Sequence, residues 1–171
     1  MDRKKYINKI VSAAVIAGLY AGLTYFCGFM GLGYGQIQLR LSEALTVLAV
    51  FSPTAVYGLT VGCFLANIAS FNPLDMIFGT AATLISALLS YLLRNIRICK
   101  IPFLSLLSPV IINGIIIGAE LSVLVAVDIS FPIMMIFVAA GEAVSCFGLG
   151  IPLYMYISKN KQKFNKFLID F

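Results

Sequence analysis

Three glutamates, Glu43, Glu120 and Glu142, and two asparagines, Asn67 and Asn113, interrupt long apolar runs in this chain. A carboxylate is a hydrogen-bond acceptor that also attracts cations, and an amide both donates and accepts, so these residue types are suited to holding a donor-bearing ligand. Asn113 and Glu120 are seven residues apart, which on a helix puts them on one face about 10 Å apart. A short polar run, Tyr34, Gln36, Gln38 and Arg40, leads into Glu43. Binding is the chemistry to expect here, because the chain has no His and therefore no Ser-His or Cys-His dyad and no imidazole metal site. Cys27, Cys63, Cys99 and Cys146 are scattered without a C-x-x-C pair, so they read as small packing residues, not as a disulfide framework or a zinc site. No metal and no cofactor are expected in this chain.

The elements that must position these groups are membrane helices. Of 171 residues, 61% are hydrophobic and 11% charged, and mean hydropathy is +1.01. So few polar residues cannot cover a globule of this size in water. Apolar stretches run to the C-terminal region, unlike a secretory leader followed by a polar mature chain. A ~30 Å hydrocarbon core takes about 20 apolar residues per helix. Residues 10–32, 76–93, 101–127 and 131–158 meet that length, whereas 41–71 is long for one pass and short for two, with Pro53 breaking it.

Charge decides the count. If 41–71 crosses twice, Arg94, Arg97 and Lys100 share a side with Arg3, Lys4, Lys5 and Lys9 and with Lys159, Lys161, Lys163 and Lys166. Eleven of the twelve basic residues then obey the positive-inside rule, Arg40 being the exception. The net charge of +5 is thus a topology signal, and no nucleic-acid partner is implied. The expected architecture is an all-α membrane protein, a six-helix bundle with both termini cytoplasmic and one domain over residues 1–171. Its helices are expected at about 7–30, 42–51, 53–70, 75–96, 101–127 and 131–158, multi-pass in the cell membrane.

In this layout Gln36, Gln38, Arg40, Glu43, Asn67, Asn113, Glu120 and Glu142 fall in the outer half or near the midplane. Charge inside a bilayer is costly, so this distribution predicts a polar pocket open to the outside, built from the fifth and sixth helices and roofed by the first outer loop. Tyr34, Phe71 and Phe131 are placed to stack on a flat ligand. Plainer roles compete: Arg40 and Glu43 have the spacing of an i, i+3 ion pair, and Asn113 suits an interhelical hydrogen bond. Glu120 and Glu142 have no cation on their side except Arg40. Either some are protonated or a donor-rich ligand completes their hydrogen bonds.

The first helix repeats small residues at Ala13, Ala17 and Ala21, and again at Ala14, Gly18 and Gly22. Such faces let membrane helices approach closely, either within the bundle or against another subunit. No G-x-x-x-x-G-K-[ST] sequence is present, and six helices are few for an inverted-repeat carrier.

The run Tyr34-Gly35-Gln36-Ile37-Gln38-Leu39-Arg40-Leu41-Ser42-Glu43-Ala44-Leu45-Thr46 resembles the signature of the QueT family, queuosine-precursor S components of energy-coupling factor (ECF) transporters. So do 62–67, Asn113-Gly114 with Gly118-Ala119-Glu120-Leu121, and Gly141-Glu142. The resemblance implies capture of a 7-deazaguanine, such as 7-aminomethyl- or 7-cyano-7-deazaguanine or queuine, at the outer face. It also implies partners: a transmembrane T subunit, docked on Ala13, Ala17 and Ala21, and two ATPase subunits that consume the ATP. The residue chemistry agrees, since one carboxylate accepts the adjacent N1–H and exocyclic amine of a deazaguanine and a second suits a cationic substituent. An S component for another vitamin, or a stand-alone proton-coupled carrier using Glu120 and Glu142, are the alternatives; an intramembrane enzyme is disfavoured.

Overall fold

The computed structural model describes residues 3–32, 39–68, 73–124 and 129–164. Tyr34, Gln36, Gln38, Phe71 and most of the expected roof loop lie outside the described residues. Helix α1 covers Arg3–Phe29, and a 3₁₀ helix covers Leu41–Val50. Then come α2 (Pro53–Ile68), α3 (Pro73–Leu92) and α4 (Phe103–Leu124). The last long helix is α5 (Phe131–Ala143), a π-helical stretch (Val144–Leu149) and α6 (Gly150–Lys159), followed by the short α7 (Lys161–Phe164). Four of these helices are long and apolar enough to cross a membrane: Arg3–Phe29, Pro73–Asn95, Phe103–Val123 and Phe131–Lys159. Large apolar side chains such as Phe29 and Val123 stand outward at 90% and 79% exposure, as a lipid-facing surface requires.

Contacts between helices fix their directions. A Cβ added at Gly58 would lie 2.8 Å from the Ala13 carbonyl oxygen, and one at Gly62 the same distance from that of Ala17. Both partners advance by four residues, so α1 and α2 run parallel with their backbones touching. Cys63 and Asn67 meet Gly79 and Asp75, so α3 runs back. Ser90 and Ser86 meet Ser105 and Ser108, and Gly118 meets Met135, so α4 and α5 alternate again. Two parallel helices in succession require the chain to come back between them. The ten residues Leu41–Val50 supply it, and 3₁₀ winding at ~2.0 Å per residue stretches ten residues to ~20 Å where an α-helix would reach ~15 Å.

Local chemistry explains the boundaries. Ser52 caps α2, its Oγ accepting from the Thr54 amide at 3.2 Å, with Pro53 at the position where a missing N–H costs nothing. Inside α4, Pro109 cannot donate to the Ser105 carbonyl. Two hydroxyls take over, Ser90 Oγ at 2.7 Å and Ser108 Oγ at 2.8 Å, and the same serines tie α3 to α4. In the last helix, Pro152 follows the π-helical stretch, where the i−4 pattern is already interrupted. Gly150 leaves room for Leu106, whose Cδ2 would lie 3.3 Å from an added Cβ.

Candidate functional site

The 3₁₀ helix and the π-helical stretch pack against each other, and the buried acids Glu43 and Glu142 cluster at their N-terminal ends. Glu43 is fully buried, and its Oε1 accepts a hydrogen bond from the Tyr20 hydroxyl on α1. Thr46 Oγ1 and Cys146 Sγ, from the two irregular helices, both donate to the Glu43 carbonyl oxygen, at 2.6 and 3.7 Å. Glu142 and Asn113 are each 3% exposed, and Asn113 Nδ2 donates to Glu142 Oε1 at 3.0 Å. Glu43 and Glu142 are near enough to repel one another, and Arg40 attracts both. Sequence spacing could not pair residues 43 and 142; the meeting of two irregular helices does.

Glu120 stands further out on α4, close enough to Arg40 to be attracted by it. Its carboxyl lies close to that of Asp75 at the start of α3, within reach of a hydrogen bond. Glu120 is also the ionisable residue of a cavity of about 470 Å³ between α3 and α4, whose walls include Leu74, Phe78, Ile116 and Val123.

Asn67 has a different task. Its Nδ2 donates to the Asp75 carbonyl oxygen at 2.9 Å and meets Cys63 Sγ at 3.4 Å, binding α2 to α3, with Gly79 leaving the room it needs. Phe131 is 40% exposed at the start of α5.

Four buried oxygens in this region have no hydrogen-bond partner among the described residues: Glu43 Oε2, Asn113 Oδ1, Glu120 Oε1 and Glu142 Oε2. Each costs about 1–3 kcal/mol if nothing completes it. Carboxylate and amide oxygens are acceptors, so what fits among them is a group rich in N–H donors or a cation. Among the described residues, no group of His, Cys, Asp and Glu could hold a metal ion.

Residues 10–159 match the family described as QueT transporter. The chain belongs to the QueT transporter family. A relative from Lactococcus lactis subsp. cremoris (strain MG1363), named "Queuosine precursor transporter QueT", is 37% identical over 91 residues. That stretch covers 53% of this chain and 54% of the relative, so the match spans about half the length of each. No solved structure matches. Every described site residue lies within the stretch matched to the QueT family.

Two residues of this QueT site escape a reading of the sequence. Tyr20 looks like one more aromatic in an apolar helix, yet it shares the buried face of Ile16 and Ala17, where a hydroxyl must find a partner. Asp75 looks like an ordinary acid in the first turn of a helix. The Ala13, Ala17 and Ala21 face, expected to meet another subunit, is taken up inside the chain: Ala17 and Ala21 are buried, and Ala13 and Ala17 lie against Gly58 and Gly62. Ala14, Gly18 and Gly22 form the small-residue face that stays exposed, with open space around both glycines.

Proposed function

We propose that this chain is the substrate-capture S component of an ECF-type importer and binds a queuosine precursor of the 7-deazaguanine class from outside the cell. The observation that carries this reading is the set of four buried acceptor oxygens, on Glu43, Asn113, Glu120 and Glu142, that have no partner among the described residues. A deazaguanine offers N1–H and an exocyclic amine side by side, which suits the inner group of Glu43, Asn113 and Glu142. The aminomethyl substituent is cationic and suits Glu120 with Asp75, two helical turns and about 10 Å further out along α4 from Asn113. Gln36, Gln38 and Tyr34 complete the pocket in this reading, with Arg40 keeping the acids from carrying an uncompensated charge. An anionic ligand would find no welcome among these oxygens.

In this proposal six segments cross the cell membrane, with both termini cytoplasmic. The chain does no catalysis and carries no cofactor; a T subunit and two ATPases supply ATP-driven release. The T subunit docks on the open face of Ala14, Gly18 and Gly22. A second reading, a stand-alone proton-coupled carrier, is favoured by the closeness of the Asp75 and Glu120 carboxyls.

Calorimetric titration of ligand-stripped protein with 7-aminomethyl-7-deazaguanine, 7-cyano-7-deazaguanine, queuine, guanine, biotin and thiamine tests the substrate. Binding of deazaguanines with silence from the two vitamins is expected, and the reverse pattern overturns it. Uptake in cells lacking the ATPases would favour the carrier.

A further inference from the structure

At the opposite end of the bundle from the acids, a cavity of about 650 Å³ is lined by Arg94, Arg97, Lys100, Lys159 and Lys161. None of the acids among the described residues lines it. Topology alone asks only that cations lie on this side; it does not ask that cations from two stretches of the chain, 94–100 and 159–161, face one cavity. Its other wall is apolar, with Phe51 stacked on Tyr154 at 5.2 Å between ring centroids, Ile101 beside them, and Met155 46% exposed.

Two of the cations, Arg94 and Lys100, are on fixed supports. Arg94 lies over the Tyr91 ring at 3.8 Å and donates to the Tyr91 carbonyl oxygen at 3.0 Å. Lys100 sits in a tight turn between Ile98 and Ile101, which exchange backbone hydrogen bonds. The turn puts both Cys99 (φ 51°) and Lys100 (φ 67°) in the left-handed region, where glycine or asparagine is the usual choice. The Tyr154 hydroxyl, 3.5 Å from the Lys100 carbonyl oxygen, ties this turn to α6. A backbone strained in this way persists only where the surroundings hold it, and here it keeps Lys100 at the mouth of the cavity.

We propose that this cavity binds the phosphate headgroup of an anionic phospholipid, with an acyl chain against the apolar wall. It lies where the spanning helices α3 and α6 end, the depth of lipid headgroups. Clusters of cations at the ends of membrane helices attract anionic lipid, and a walled cavity adds a fixed position to that attraction. A free phosphate would satisfy the cations but make no use of the apolar wall formed by Phe51, Ile101 and Met155, which favours the lipid.

The chain has no Trp, so Met155→Trp at an exposed position creates a single fluorescent reporter in the cavity. Quenching by brominated phosphatidylglycerol and brominated phosphatidylcholine, each in bilayers of unlabelled phosphatidylcholine, gives the relative affinity of the two lipids. Preference for phosphatidylglycerol is expected at about tenfold or more, falling to near one when Arg97→Gln, Lys100→Gln and Lys159→Gln are added. Lys100→Gln alone should lower the preference severalfold, a check that does not depend on the triple variant folding. Equal quenching by the two lipids in the reporter protein overturns the proposal, as does a preference untouched by Lys100→Gln. Relief of the phosphatidylglycerol quenching by millimolar inorganic phosphate would make this a soluble-phosphate site and overturn the lipid assignment.

Discussion

Two helix contacts in this molecule are built on opposite plans. Where α1 meets α2, both helices are regular and glycines bring the backbones together, with Gly58 and Gly62 against the Ala13 and Ala17 carbonyls. Where the 3₁₀ helix meets the π-helical stretch, both backbones are irregular, and the neighbouring side chains are buried acids and hydroxyls. Small residues give close van der Waals packing, which is the main source of helix association in lipid. The second contact gives up regular geometry and leaves oxygens unpaired, the pattern expected where stability has been exchanged for binding. The first contact is a frame, and the second is a site that the frame holds open.

The largest effect should come from the frame. Gly62→Leu puts a side chain where the Ala17 backbone already stands, and is expected to cost about 3 kcal/mol and abolish a cooperative melt in detergent. A melt close to that of the unmodified chain would mean the α1–α2 contact is loose, removing half of the comparison.

In the second contact, Glu142→Gln should leave the thermal midpoint unchanged or higher, since it replaces an acid buried beside another acid with a neutral amide. It should weaken 7-aminomethyl-7-deazaguanine by about 10- to 100-fold, the worth of a charge-assisted hydrogen bond. Calorimetry reads both halves; unchanged affinity would take the irregular contact out of the site. A smaller and more selective effect is expected at Glu120. Glu120→Gln should weaken the aminomethyl compound about tenfold and the uncharged cyano compound less than about threefold, because only the former has an ammonium to lose. Equal losses for both would place Glu120 at the base edge instead.

The smallest effect on the isolated chain is expected from Gly18→Leu on the open face of α1. Nothing lies within 4 Å of the added Cβ, so stability and ligand affinity should hold while co-purification with the T subunit is lost. Ala17→Leu, one residue away, should instead destabilise the chain itself, because Ala17 is packed against Gly62. If both variants only disrupt assembly, the two faces of α1 are not distinct.

Much of the helical layout was legible in the residues. Pro53 and the preceding Ser52 mark the start of α2, and the charge clusters ask for two passes between 41 and 71, in keeping with the parallel course of α1 and α2. Leu41–Val50 reads as an ordinary apolar helix, because the sequence Leu-Ser-Glu-Ala-Leu-Thr-Val-Leu-Ala-Val favours no particular winding. Its 3₁₀ form answers to a distance between neighbours that lies outside the segment. Glu43, Asn113 and Glu142 stand out as rare polar residues in apolar sequence, so their importance was visible while their meeting was not. Asn67 stood out for the same reason and proved to be occupied in joining α2 to α3.

Composition and charge order by themselves pointed to a helical membrane chain with most of its cations grouped away from Glu43, Glu120 and Glu142, because burial in lipid penalises every misplaced charge. The tertiary structure decided which acids share a site, which small-residue face stays free, and that Tyr20 and Asp75 belong with Glu43 and Glu120. Those choices depend on contacts between residues far apart in the chain, and periodicity records only the face of a helix on which a residue stands, never the neighbour that face will meet.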